Sequence, residues 1–148
     1  MRNVPYVEVS KLIKGSRDQI YDLLKRVEEY PEFMADVESI RVLERDQHSS
    51  LSEWVTRLEG RRLRWVERET YHDDQYRMVY RMTEGDLKQF EGEWRLEETT
   101  EGTLVTLTCQ FDLGIPMFAA LLNPIARIKV KENVESMLEG LRQKVEGA

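Results

Sequence analysis

Residues 84–98, EGDLKQFEGEWRLEE, alternate between two chemistries. Phe90, Gly92, Trp94 and Leu96 fall on one face of an extended strand and Glu91, Glu93, Arg95 and Glu97 on the other, because strand side chains repeat with a period of two. The carboxylates therefore point away from the aromatics. The segment reads as the wall of an apolar interior with a charged outer surface, not as a catalytic carboxylate cluster.

The same period extends in both directions. Segments 37–46, 49–58, 61–72, 75–84, 88–98 and 103–113 alternate, and Glu59-Gly60, Asp73-Asp74, Gly85-Asp86 and Glu101-Gly102 punctuate them as hairpin turns. They predict a six-stranded antiparallel meander. VPYVEVSKLI, residues 4–13, adds a seventh strand. Ser16 with Gln19 forms a capping-box pattern ahead of Ile20, Leu23, Leu24 and Val27, predicting a helix over 17–29 that Pro31 breaks, since proline disfavours a helical Tyr30. After Gly114, Met117, Phe118, Leu121 and Leu122 suggest one short helix. Asn123-Pro124 then reads as the N-cap and first position of another. That last helix carries Ile125, Ile128, Val130, Val134, Met137, Leu138, Leu141 and Val145, a stripe expected to be its buried side.

No linker or repeat divides the 148 residues, so a single domain is expected, burying roughly 70% of the surface its unfolded chain exposes. Neither a signal peptide nor a spanning helix is predicted, which makes a cytoplasmic protein the default. Contact with a membrane surface and the oligomeric state stay open. Cys109, the single cysteine, allows no intrachain disulfide and reads as a small buried hydrophobe. A net charge of −6 offers no general attraction for phosphate backbones, so no nucleic-acid partner is expected.

A meander with one apolar face must cover it, and the long terminal helix is the large amphipathic element available. The sheet should curl around that helix and leave a pocket where the helix does not fill it. Bulky residues line the sheet: Trp54, Trp65, Tyr71, Tyr76, Met78, Tyr80, Met82, Phe90 and Trp94.

The opening strand, GSRDQIYDLLKRVEEYPEFM, VESIRVLE, EGDLKQFEGEWRLEE, GTLVTLTCQFDLGIPMF and KENVESMLEGL together resemble the START-like (SRPBCC) polyketide cyclase/dehydrase family over nearly the whole chain. That family also includes coenzyme-Q-binding proteins and bacterial ribosome-association toxins. The resemblance implies an α+β helix-grip (START/Bet v 1-like) fold: a seven-stranded curved antiparallel sheet around a long C-terminal helix, with two short helices after the first strand. It also implies a hydrophobic ligand: a polyketide intermediate, an isoprenoid quinone or another lipid. Tyr30, Pro31, Phe33 and Met34 resemble the family's aromatic-proline segment near the cavity mouth, although ordinary packing under the sheet explains them equally well. Tyr30, Phe33 and Met34, with Met117, Leu121, Ile125 and Ile128 from the C-terminal part, complete the expected ligand-binding set. Met34, Met78, Met82, Met117 and Met137 suit an irregular apolar guest, since thioethers adapt their shape.

Glu67 and Glu69 fall in phase with Leu63, Trp65 and Tyr71 and would turn inward in a regular strand. One reading makes them cavity acids or bases with pKa values raised by desolvation. The preferred reading is a bulge that shifts the phase, or a place at the hydrated open end, because curved sheets commonly carry bulges. Arg62, Arg64, Arg68, Arg77 and Arg81 lie on outer faces. A cross-strand charge lattice is preferred there over a docking stripe for RNA or an acidic partner. His48 and His72 sit at turns without ligand spacing, Ser49, Ser50 and Ser52 lack a nucleophile-elbow context, and Gly60, Gly85 and Gly102 are isolated turn glycines. No metal, cofactor or nucleotide is expected.

The leading expectation is a carrier or chaperone for a hydrophobic small molecule. A polyketide aromatase/cyclase using the same cavity, with Glu67 or Glu69 moving protons, is the alternative. A ribosome-association role through the arginines is more distant.

Overall fold

The computed structural model describes residues 5–58, 60–112 and 119–147, with side chains in the last segment from Pro124 onward. Seven strands, β1 (Tyr6–Ile13), β2 (Val37–Arg45), β3 (Ser49–Leu58), β4 (Arg61–His72), β5 (Arg77–Gly85), β6 (Gln89–Thr99) and β7 (Gly102–Asp112), form one antiparallel sheet in the order β1-β7-β6-β5-β4-β3-β2. β2 to β7 are the expected meander, and β1 closes it along β7, with Tyr6 opposite Gln110 and Ile13 opposite Thr103. Helix α1 (Arg17–Lys25) follows β1, and helix α2 (Ala119–Glu146) ends the fold. This is the helix-grip arrangement: the concave face of the sheet closes on α2, and Val130, Val134, Leu138 and Leu141 enter the core.

Ser16 caps α1 as its sequence predicts, its hydroxyl accepting from the Gln19 amide at 3.1 Å. The helix stops earlier than expected. Arg26 leaves the helical region, and the chain tightens into a 3-10 helix, Val27–Glu32, that contains both Tyr30 and Pro31. The α-helical ladder has already ended at Lys25, so Pro31 interrupts none of its bonds. Tyr30 ties the two helices together by donating its buried hydroxyl to the Leu24 carbonyl at 2.6 Å, satisfying one of the last carbonyls of α1.

The expected division at Asn123-Pro124 is also absent: α2 runs through Pro124 without a break. A proline this near the helix start removes a single ladder bond, and burial of the following turns outweighs that loss. Residues 113–118, including Met117, lie outside those described, as does Glu59 of the expected β3–β4 turn.

Two glycines fix the sheet where it matters for the interior. Gly92 lies on the inner face of β6, where a Cβ would stand 2.0 Å from the Thr108 carbonyl oxygen and 2.7 Å from the Tyr80 hydroxyl. Its missing side chain lets Tyr80 reach across β6 and donate to Thr108 O at 2.6 Å. Gly85, at φ +155°, lies against Trp65, with a Cβ position 2.4 Å from the Trp65 Cβ. A larger residue there would displace the indole.

The outer faces carry the expected charge lattice. Arg57 and Arg62 pair with Glu38, Arg41 and Arg64 with Glu53, Arg68 with Glu44, and Arg77 with Glu93.

Candidate functional site

Between the sheet and α2 lies a recessed cavity whose wall is mostly apolar. The 3-10 helix contributes Val27 and Tyr30, β2 Val37, β3 Trp54 and Thr56, β4 Trp65 and Glu67, and β5 Met78 and Tyr80. β6 adds Phe90 and Trp94, β7 Leu107, and α2 Val130, Asn133, Val134 and Met137. Alternation explains the sheet's share, because each strand sends every second side chain inward.

The aromatics pack on one another. Trp54 and Trp65, directly opposed on β3 and β4, stack at 5.5 Å with 16° between their planes. Phe90 tilts onto Trp65 at 5.0 Å and onto Tyr80 at 5.6 Å, while Tyr30 meets Trp54 and Trp94 edge-on at 5.7 and 6.3 Å. These contacts leave a central void of about 30 Å³, room for a single water. A second void of similar size, reaching Leu58, Leu63, Leu87 and Phe111, shares the wall residues Thr56, Trp65, Phe90, Val130 and Asn133 with the first. Phe90 and Trp65 are thus common walls of both.

Glu67 and Glu69 are inside, 3% and 0% exposed. This overturns the expectation of a phase shift on β4 or a hydrated position. A bulge does exist at this level, but it lies on β5: Val66 faces Glu84 and Glu67 faces Met82, so Thr83 is the extra residue and β4 keeps its phase. Glu69 accepts from the Ser50 and Ser52 hydroxyls, both at 2.6 Å, and Trp54 Nε1 donates to Ser52 Oγ at 2.8 Å. Trp65 Nε1 donates to Glu67 Oε1 at 2.7 Å. Burial, reinforced by the neighbouring Glu69 charge, holds Glu67 well above its ordinary 4.5, with the indole donor pulling the other way. Burial also raises Tyr30 and Tyr80 well above the usual tyrosine range and pushes the Cys109 thiol up to about 12.

Of the predicted ligand-binding residues, Tyr30, Trp54, Trp65, Met78, Tyr80, Phe90 and Trp94 come together on this wall. Others do not. Met34 is buried in the core and Phe33 packs against it, so only the tyrosine of the aromatic-proline segment reaches the cavity. Tyr71 lies farther along β4, opposite Met78, and Met82 stands beside the bulge; both pack against the core outside the wall. Tyr76 ends the 3-10 turn Asp73–Gln75 in a left-handed conformation, φ 50°, which takes it out of the β5 alternation. It packs on Tyr21, lies beneath Arg17 and donates to Asp18 near the start of α1.

Ile125 and Ile128 are 58% and 55% exposed, correcting the predicted stripe on α2. The buried face follows the 3.6-residue repeat through Val130, Val134, Met137, Leu138 and Leu141, and both isoleucines fall off it. Leu121 lies within α2, but its side chain is not among those described, and Met117 lies outside. Sequence reading did not single out Thr56 or Asn133, nor the support that Ser50 and Ser52 give Glu69. Their inward phase on β3, two and four residues before Trp54, was the available signal for the serines.

The family model for polyketide cyclase / dehydrase and lipid transport matches residues 13–138. The chain belongs to this family. The chain is also similar to the actinorhodin polyketide synthase bifunctional cyclase/dehydratase of Streptomyces coelicolor, 30% identical over 95 residues. That match spans 63% of this chain and only 30% of that protein. Among solved structures, TTHA0849 from Thermus thermophilus is 34% identical with a TM-score of 0.91, covering 97% of this chain and 98% of that one. The Zhui aromatase/cyclase from Streptomyces sp. R1128 shares the fold at 18% identity, with a TM-score of 0.88 over 97% of this chain and 94% of that one. Among the described residues of this family member, no helix is long and apolar enough to cross a membrane.

Proposed function

We propose that this protein binds a hydrophobic, polyketide-like small molecule in the cavity between sheet and α2, as a carrier or chaperone. The observation that carries the reading is the wall itself: three tryptophans, two tyrosines and a phenylalanine converge on a recessed space with a single buried carboxyl in its lining. Cavities that hold drug-sized ligands measure roughly 300–1,000 Å³, far more than the void present here, so a guest must displace side chains. Phe90 is suited to move. It is half-buried and bounds both voids, and turning it aside would join them.

Membership of a polyketide cyclase/dehydrase and lipid transport family supports a ligand of this class. Polyketide cyclisation is the second reading, and the inward Glu67 and Glu69 favour it, because a buried acid of raised pKa is equipped to move a proton. Native mass spectrometry of the purified protein, alone and after incubation with an aromatic polyketide, tests the binding. A retained organic molecule is expected. A bare chain in both samples would overturn the proposal. Conversion of a poly-β-keto substrate by the wild type but not by Glu67→Gln would select cyclisation over carriage.

A further inference from the structure

We propose that the outer face of α2 over residues 124–131 docks on an anionic membrane surface: Ile125 and Ile128 enter the boundary between headgroups and acyl chains, and Arg127, Lys129 and Lys131 meet the lipid phosphates. The proposal does not depend on what the cavity binds.

Over this stretch α2 is apolar on two sides. Ala126, Val130 and Val134, spaced by four, pack toward the core. Ile125 and Ile128 stand on the opposite side, three residues apart and therefore neighbours on one face. At 58% and 55% they are the most exposed large hydrophobic side chains among the described residues. The same stretch, PIARIKVK, carries three basic residues and no acidic one, in a chain whose net charge is −6. At 100° per residue, Arg127 and Lys129 flank Ile128 on its two sides and Lys131 lies one turn beyond it. The cations therefore form a rim around an apolar centre. Glu132, paired with Lys129 at 3.7 Å, marks where that face ends along the helix. Arg127 Nε donates to the Tyr6 carbonyl at 3.1 Å and ties the stretch to the start of β1. Tyr6, with its hydroxyl on Glu8 at 2.7 Å, bounds the face on that side.

A helix with an apolar centre and a basic rim suits a lipid interface, where the apolar side chains leave water and the cations stay at the headgroups. The acidic total does not forbid this, because salt confines the field of distant charges to about 8–10 Å and leaves the local face to decide. A second copy of the chain fits worse. A two-fold contact would set these cations against their own images, and two isoleucines fall well short of the roughly 800 Å² per partner that stable interfaces bury. Nucleic acid offers phosphates but nothing apolar for the isoleucines.

The test is co-sedimentation with vesicles of phosphatidylcholine, with and without phosphatidylglycerol, for wild type, Ile125→Ser/Ile128→Ser and Lys131→Gln, with circular dichroism confirming each fold. Wild type should bind the phosphatidylglycerol vesicles at least tenfold more tightly than phosphatidylcholine alone, and added salt should weaken that binding. The double isoleucine variant should lose about tenfold through the apolar area it no longer buries, and Lys131→Gln roughly fivefold through one cation. On wild type, a nitroxide-bearing lipid should broaden the methyl signals of Ile125 and Ile128 and spare Leu43, an exposed side chain on the edge strand β2. Failure to sediment, equal binding to both vesicles, or binding that survives loss of both isoleucines would overturn the proposal. So would a dimer in sedimentation equilibrium that the double variant dissolves, which would assign the face to a second copy, or tighter binding to polyglutamate than to vesicles, which would assign it to an acidic protein.

Discussion

Glu67 and Phe90 lie on the same wall and bear on stability in different ways. The folded pKa of Glu67 is raised, so the group imposes no penalty below about pH 4.5, where folded and unfolded chains are both protonated. As pH rises beyond that, the unfolded chain ionises first and stability falls, until the folded carboxyl ionises too. Glu67→Gln removes this dependence and should be more stable than wild type at neutral pH, with the gap widening from pH 4.5 upward in chemical denaturation. An unchanged pH profile would mean that the carboxyl ionises as freely in the fold as in water. Phe90→Ala should behave differently. Its ring is only half-buried, so the loss should be below the ~3–5 kcal/mol of a fully buried aromatic. Joining the two voids should meanwhile raise affinity for a naphthalene probe severalfold, as read by fluorescence titration.

Among the elements, β6 is the one whose sequence spoke most clearly. Phe90, Trp94 and Leu96 face inward and Glu91, Glu93 and Arg95 outward, as their alternation demands. Glu91→Gln and Glu93→Gln should each change stability by less than ~1 kcal/mol and leave probe binding intact, since partly exposed ion pairs contribute little. Gly92→Ala should instead lose about 1–3 kcal/mol by denaturant titration, because its methyl has no space beside Thr108 O and the Tyr80 hydroxyl. β4 was harder to read. Its period turned Glu67 and Glu69 inward, yet a phase-shifting bulge or a hydrated position was the preferred reading, and placing the extra residue at Thr83 on β5 depends on pairing that alternation within one strand cannot reveal. The end of α1 and the continuity of α2 were misplaced for a related reason. Pro31 and Pro124 forbid a backbone bond, but whether a helix elsewhere needs that bond is a matter of tertiary packing.

At the scale of the molecule, strand number, the order of the six-stranded meander and a gripping C-terminal helix were legible because most strands keep their period over most of their length and the turns between them keep their chemistry. The cavity was only partly so. Six of its wall residues, Trp54, Trp65, Met78, Tyr80, Phe90 and Trp94, follow from inward phase and Tyr30 from the resemblance of its segment, whereas Tyr71, Tyr76 and Met82 share that aromatic or thioether character but sit beyond the reach of the space. Ile125 and Ile128 were misjudged because apolar residues spaced along a helix need not share one face, and these two lie on the open side of α2. Their exposure supplies the competing place for an apolar probe, and so the most direct test of the central claim. Intermolecular NOEs should be measured between a naphthalene probe and protein labelled at methionine and isoleucine methyls. The account predicts contacts to Met78 and Met137, whose side chains line the cavity, and none to Ile125 or Ile128. Contacts confined to the two isoleucines would place the ligand on the outside of the molecule and contradict it.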